Sequence, residues 1–213
     1  MRVIAIDGPA GSGKSTVGRR LAARLGLTYL DTGAMYRAIA FAAIQRGIDP
    51  LDTDPVAAMA REIDLKVDDD KVVVGGVDAT VEIRGPEVSR AVSLVAANSG
   101  VREELRARQR LWAAEHEGGV IEGRDIGSVV FPDAILKVYL TADATVRSQR
   151  RAQEMTELDF DNVAADIARR DAADQGRTDS PLQVSDDSLV LDTTDLTIDA
   201  VVDRLVDLVE ERS

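Results

Sequence analysis

The chain has 213 residues, enough for one substantial core with room for a small inserted lobe. Hydrophobic content of 45% and charged content of 30% are ordinary for a water-soluble fold, whereas a net charge of −12 argues against nucleic acid or an anionic membrane as a general partner. The absence of cysteine removes disulfides, thiolate metal ligands and a thiol nucleophile, and the single histidine, His116, near the charged end of a predicted helix, reads as solvated rather than catalytic.

The chain opens on a continuous apolar run, Val3 to Ile6, which predicts a buried strand. Gly8-Pro9-Ala10-Gly11-Ser12-Gly13-Lys14-Ser15-Thr16 follows, and then apolar residues at Val17, Leu21, Ala22 and Leu25 recur with helical spacing. Strand, glycine-rich loop and helix in that order predict a phosphate-binding loop. Backbone N–H groups curl around an anion, Lys14 reaches the β- and γ-phosphates, and the Ser15 hydroxyl ligates Mg²⁺. The donor is then ATP.

Thr28 to Asp31 predicts a second strand that passes through Thr32-Gly33 into a helix ending near Gln45, with Thr32 as its cap and Arg37 in its early turns. Arg37 reads either as a phosphate-forking guanidinium or as an exposed surface cation. Asp54 to Arg61 predicts a short helix. Three short strands, Ile63 to Val67, Lys71 to Val74 and Asp78 to Glu82, separated by Asp68-Asp69-Asp70 and Gly75-Gly76, predict an inserted lobe over residues 63–84. Pro86 to Ala97 and Val101 to Glu117 predict helices, the second with Arg102, Arg106 and Arg110 on one face, favoured as a solvated charged face. Gly118-Gly119 breaks that helix.

Val120-Ile121-Glu122 then predicts a strand emptying into Gly123-Arg124-Asp125-Ile126-Gly127, the polar edge an open α/β sheet offers a ligand. Ile135 to Leu140 is a further strand. Asp143 to Thr156 is a helix whose Arg147, Arg150 and Arg151 suit its C-terminal dipole. Asp161 to Asp174 is a helix with Arg170, Asp174 and Arg177 on one face if it persists, and Gly176 and Pro181 make a mobile exit suited to a lid. Leu189 to Asp192 and Ile198 to Glu210 close the chain as strand and helix. The alternation predicts an α/β fold, a parallel sheet flanked by helices with its crevice at the strands' C-terminal edge. No apolar run approaches the ~20 residues of a membrane span, so a cytoplasmic location is expected, and no coiled-coil seam appears, so a monomer is expected.

Arginines beyond the ATP loop imply a second phosphorylated substrate. A phosphate acceptor is already anionic near neutrality, its second pKa being about 6, and needs no base, so a histidine-poor, arginine-studded chain suits it. The alternatives are a P-loop kinase with a hydroxyl acceptor such as shikimate, and a non-enzymatic nucleotide-dependent switch.

Gly8 to Thr16, Leu30 to Arg37, Glu122 to Ala134 and Arg170 to Leu182 together resemble the bacterial cytidylate kinases over essentially the whole chain. The resemblance implies the P-loop nucleoside monophosphate kinase fold, with a five-stranded parallel sheet. It makes residues 1–213 one domain, 33–100 a monophosphate-binding lobe containing the 63–84 insert, and 157–182 a mobile helical lid. It implies transfer of the ATP γ-phosphoryl group to CMP or dCMP with Mg²⁺, in pyrimidine nucleotide metabolism. Gly8, Pro9, Ala10, Gly11, Ser12, Gly13, Lys14, Ser15 and Thr16 then hold ATP, with Ser15 on the metal. Thr32, Arg37, Ser93, Arg102, Arg124, Asp125, Arg170, Asp174 and Arg177 form the monophosphate site, and Lys14, Arg124, Arg170 and Arg177 serve phosphoryl transfer. Within that set Asp125 and Ser93 accept from the cytosine amine, Arg102 donates to the ring, and Asp174 accepts from a ribose hydroxyl. Glu122 stands where some relatives have Asp, and Ala173 and Gln175 stand at lid positions that can be basic.

Overall fold

The computed structural model describes residues 1–154 and 160–212, and the chain divides into two compact units: residues 1–29 with 116–213, and residues 30–115.

The main sheet, of order β2-β6-β1-β7-β8, is formed by β1 (Arg2–Asp7), β2 (Tyr29–Asp31), β6 (Gly118–Gly123), β7 (Leu136–Thr141) and β8 (Leu189–Asp192), all in the first unit save the last two residues of β2. β1 lies at its centre, pairing parallel with β6 and β7, and β7 pairs parallel with β8. A strand covered on both faces must be apolar throughout, and Val3 to Ile6 are all buried. Helices α1 (Lys14–Leu25) and α8 (Ile198–Glu210) bring Val17, Leu21, Val201, Val202, Leu205 and Val209 onto the sheet beside Ile4, Ile6, Val138 and Leu140. Arg20 bonds Asp199 and Arg24 bonds Asp203 between the two helices, but these pairs are half exposed and add little beside the apolar seam.

Gly118 and Gly119 do not simply stop a helix: they are the first two residues of β6, at φ +127° and +150°. A Cβ at residue 118 would stand 2.3 Å from the Arg2 carbonyl oxygen, so glycine is what lets β6 start against β1. A π-helical turn over Ile126–Val130, absent from the sequence reading, follows β6. Helices α6 (Ala144–Glu154) and α7 (Phe160–Gln175) complete the unit. Of the helix expected to Thr156, the last two residues lie outside the described residues, as do residues 157–159 of the expected lid.

The second unit is mainly helical: α2 (Thr32–Gln45), α3 (Thr53–Glu62), α4 (Pro86–Ala97) and α5 (Ser99–Glu115). α2 is buried on nearly every side, which fits its alanine-rich sequence. Its cap is Asp31 rather than Thr32: the Ala34 N–H donates to Asp31 Oδ1 at 3.0 Å, and Thr32 is the first helical residue. The insert is a three-stranded antiparallel sheet, β3 (Leu65–Val67), β4 (Val72–Val74) and β5 (Val77–Asp78), whose second turn puts Gly75 and Gly76 at φ +57° and +83°. The third strand does not run on to Glu82. Thr80 donates its N–H and its hydroxyl to Asp78 Oδ1, turning the chain into a 3₁₀ turn at Glu82–Arg84.

Candidate functional site

In the first unit the C-terminal ends of β1, β6 and β7 lie side by side, with Asp7 in register with Gly123 and Tyr139. β1 runs from Asp7 into Gly8, where a Cβ would sit 2.1 Å from the Leu140 carbonyl oxygen. Gly13 stands at φ +89° as the N-cap of α1 and offers no side chain to the helix's first N–H groups, which leaves them for an anion. Lys14 folds across the loop, its Nζ donating to Pro9 O at 2.7 Å and Ser12 Oγ at 3.4 Å. Burial, with the Arg124 charge adding to it, pulls the Lys14 pKa down to about 7 although Glu122, Asp7 and Asp174 oppose the shift. A buried ammonium of this kind suits an anionic ligand. Ser15 Oγ donates to Glu122 Oε1 at 2.7 Å.

Arg124, just past β6, donates from Nε to Asp174 Oδ2 at 2.8 Å and from Nη1 to Gly123 O at 3.2 Å. Asp174 also faces Arg177 Nη1 at 3.6 Å. Burial alone would raise the Asp174 pKa, but Arg124 and then Arg177 outweigh it and hold the carboxyl below its usual range. Burial and the Arg124 charge lower the Arg170 pKa, with Asp174 and Asp166 opposing the shift, which marks guanidinium groups crowded together. The helix does not persist to Arg177, because α7 ends at Gln175 and the Gly176 N–H bonds Ala172 O. Arg177 therefore reaches Asp174 from the following turn, whose exit is pinned by the Leu182 N–H on Asp174 O. Ala173 and Gln175 are exposed.

Asp125 is buried at the head of the π-helical turn, and that turn is held by a residue the sequence reading passed over. Asp7 accepts the Ile126 N–H on Oδ1 at 2.9 Å and the Gly127 N–H on Oδ2 at 2.8 Å. Burial pushes its pKa up to about 6 against the pull of those two N–H groups, with Asp125 raising it further and Lys14 lowering it. The folded pKa exceeds the unfolded one, so the stability Asp7 contributes is present below the unfolded value near 3.8 and is lost as pH rises through 6. An Asp7→Asn variant has no such titration at residue 7. The stability of the wild type relative to Asp7→Asn, from urea melts, should therefore rise by about 2 kcal/mol between pH 7.5 and pH 4.5. A difference that stays flat across that range would mean Asp7 titrates as in solution.

Beside the glycine loop lies a cavity of about 280 Å³ walled by Gly13, Thr16, Arg150, Thr193, Leu196 and Ile198. Arg150 donates from Nη1 to Thr193 Oγ1 at 2.9 Å and from Nη2 to Thr193 O at 2.7 Å, so its guanidinium plane is fixed in the wall. A pinned cationic plane with apolar side chains suits a flat aromatic base. From sequence alone Arg150 suits the helix dipole, and Thr193 is signalled only by the polar Asp192-Thr193-Thr194 run after an apolar strand.

The second unit holds the other expected residues. Arg37 is buried, its Nη1 donating to Ile83 O and Ser89 Oγ, both at 3.0 Å, so the exposed-cation alternative falls. Ser89 was not foreseen. The solvated-face reading of α5 fails at its first member: Arg102 is 1% exposed, donates from Nη1 to Ala96 O at 3.1 Å and lies 5.6 Å over the Tyr36 ring. Arg106 is half-buried and Arg110 exposed, because the face turns outward along the helix. Ser93 is half-buried on α4 and Thr32 buried on α2. His116 is exposed.

A central strand emptying into a glycine loop that caps a helix, with arginines at the same sheet edge, defines a P-loop kinase. The family model for cytidylate kinase matches residues 4–211, and the chain belongs to that family. It is 49% identical over 216 residues to a cytidylate kinase of Corynebacterium glutamicum, covering 98% of this chain and 94% of the relative, and 48% identical over 219 residues to one of Rhodococcus opacus, covering 99% and 96%. An uncharacterized protein from Eubacterium ventriosum shares the fold, with a TM-score of 0.56 at 12% identity and 99% of each chain covered.

Proposed function

We propose that the protein transfers the γ-phosphoryl group of ATP to CMP or dCMP, releasing ADP and CDP or dCDP. The observation that carries this beyond family membership is the Arg124–Asp174–Arg177 cluster in the same unit as the Lys14 loop. Two polyanions repel, and a ring of guanidinium groups is what offsets that repulsion and aligns the oxygens.

In this reading Gly8 to Thr16 wrap the ATP phosphates, with the base against the Arg150 plane. Lys14 brings its charge to the transferring group. Ser15 fits Mg²⁺ as a hard oxygen donor, with Glu122 orienting its hydroxyl; the ion, when bound, would neutralise charge on the ATP phosphates. Among the described residues no cluster of three or more His, Cys, Asp or Glu side chains is arranged to hold a metal, which suits an ion brought in on the nucleotide. Arg37, Arg124 and Arg177 clamp the acceptor phosphate, and Arg170 is shared between lid and substrate. Asp125, Ser93 and Arg102 read the cytosine edge, Asp174 takes a ribose hydroxyl, and Thr32 completes that site. Residues 33–100 are the monophosphate lobe and 157–182 the lid. The protein works as a cytoplasmic monomer; among the described residues no helix is long and apolar enough to cross a membrane.

A coupled ADP-release assay with ATP and Mg²⁺ should show turnover with CMP and dCMP far above that with UMP, shikimate or gluconate. Turnover with a hydroxyl acceptor and none with any pyrimidine monophosphate would overturn the proposal.

A further inference from the structure

We propose that Asp171 is a positioning residue for the donor loop, holding residue 10 so that the loop's N–H groups face the phosphates. The proposal rests on the reading of Gly8 to Thr16 as the ATP site.

Asp171 lies on α7 one residue after Arg170 and is 9% exposed. Its Oδ1 accepts the Ala10 N–H at 3.0 Å, and its Oδ2 accepts from Arg147 Nη1 at 2.5 Å. The same Nη1 donates to Ala10 O at 2.9 Å, while Arg147 Nε is anchored on Ala142 O at 3.2 Å. Side chains from two helices thus hold both polar groups of one loop residue. The approach is close on the apolar side as well: Ala10 packs with Val163, Ile167 and Ala152, and a Cβ at Gly11 would stand 2.7 Å from the Arg147 carbonyl oxygen.

Peptide geometry turns this hold into a function. A trans peptide is planar, and its C=O and N–H point in opposite directions. In the plane joining Pro9 to Ala10, Lys14 takes the carbonyl at 2.7 Å and Asp171 takes the N–H, so the plane is held at both ends. In the next plane Arg147 takes the Ala10 carbonyl, which turns the Gly11 N–H the other way, away from Arg147. Gly11 and Gly13, at φ +73° and +89°, have no side chain to fix the path themselves. Asp171 and Arg147 supply from outside the order these glycines lack.

Asp171→Ala and Asp171→Asn test the assignment, the second keeping side-chain volume and one acceptor in case the first folds poorly. KM for ATP should rise about tenfold in Asp171→Ala and by a smaller factor in Asp171→Asn. KM for CMP and kcat at saturating ATP should stay within about threefold of wild type. Titration calorimetry with ADP and Mg²⁺, without acceptor, should show the same loss of affinity. This arm needs no phosphorylatable partner, so it reads the inference even if CMP is not the substrate, which the wild-type acceptor screen decides separately. Unchanged ADP affinity in both variants, or donor and acceptor constants rising together, would overturn the assignment.

Discussion

Lys14→Met should lower kcat for ATP-dependent phosphorylation of CMP by about a thousandfold, the scale of losing a preorganised donor to charge that develops in the transition state. The ammonium is buried, folded back on Pro9 O and Ser12 Oγ, and carries a pKa depressed to about 7 by burial and the neighbouring Arg124. Such a cation is poorly satisfied without an anion and is therefore strongly engaged once phosphate arrives. Methionine keeps the stem and removes the charge. Because the loop's backbone N–H groups remain, ADP affinity should fall only about tenfold, far less than kcat. A Lys14→Met enzyme that kept more than a tenth of wild-type kcat would show that the residue serves only to shape the loop. The variant also loses the hold on Pro9 O, so it should shift the loop from the side opposite Asp171.

The loop was legible in the sequence because its constraint is local. Backbone that crowds Leu140 at Gly8 and turns left-handed at Gly11 and Gly13 excludes other residues, and that exclusion is written as glycine. The β1 and β6 strands were legible for a similar reason, being apolar runs that stop at polar residues. What escaped depends on partners far along the chain. Asp7 meets Ile126 and Gly127 only because β1 lies beside β6, and Asp171 meets Ala10 across 161 positions. Helical spacing placed Arg102, Arg106 and Arg110 together correctly but carried no information on Tyr36 and Ala96, which decide that Arg102 is buried. In the insert, alternating apolar residues suggested a longer third strand, and a local competition won: the Asp78 side chain captured Thr80 and turned the chain toward Ile83. That turn is what delivers the Ile83 carbonyl to Arg37, so the misread strand end and the buried arginine are one feature.

Arg124→Met should reduce kcat/KM for CMP by a factor of about a hundred to a thousand, and Arg124→Lys separates the reason from loss of structure. Arg124 uses Nε for Asp174 and Nη1 for Gly123 O, so in the proposed clamp its remaining edge is what meets the acceptor phosphate. Removing it leaves the mostly buried Asp174 with Arg177 at 3.6 Å, so Arg124→Met should also cost on the order of 2 kcal/mol of stability. Lysine restores a charge beside Asp174 and should recover most of that stability. It has no planar fork to bond Asp174 and a phosphate at once, so kcat/KM should remain at least about tenfold below wild type. Stability that recovers while activity does not assigns Arg124 to the acceptor clamp; activity that tracks stability through both variants assigns it to holding α7 alone. An Arg124→Met enzyme with wild-type kcat/KM for CMP would remove it from the clamp altogether and leave Arg37, Arg170 and Arg177 to supply the charge.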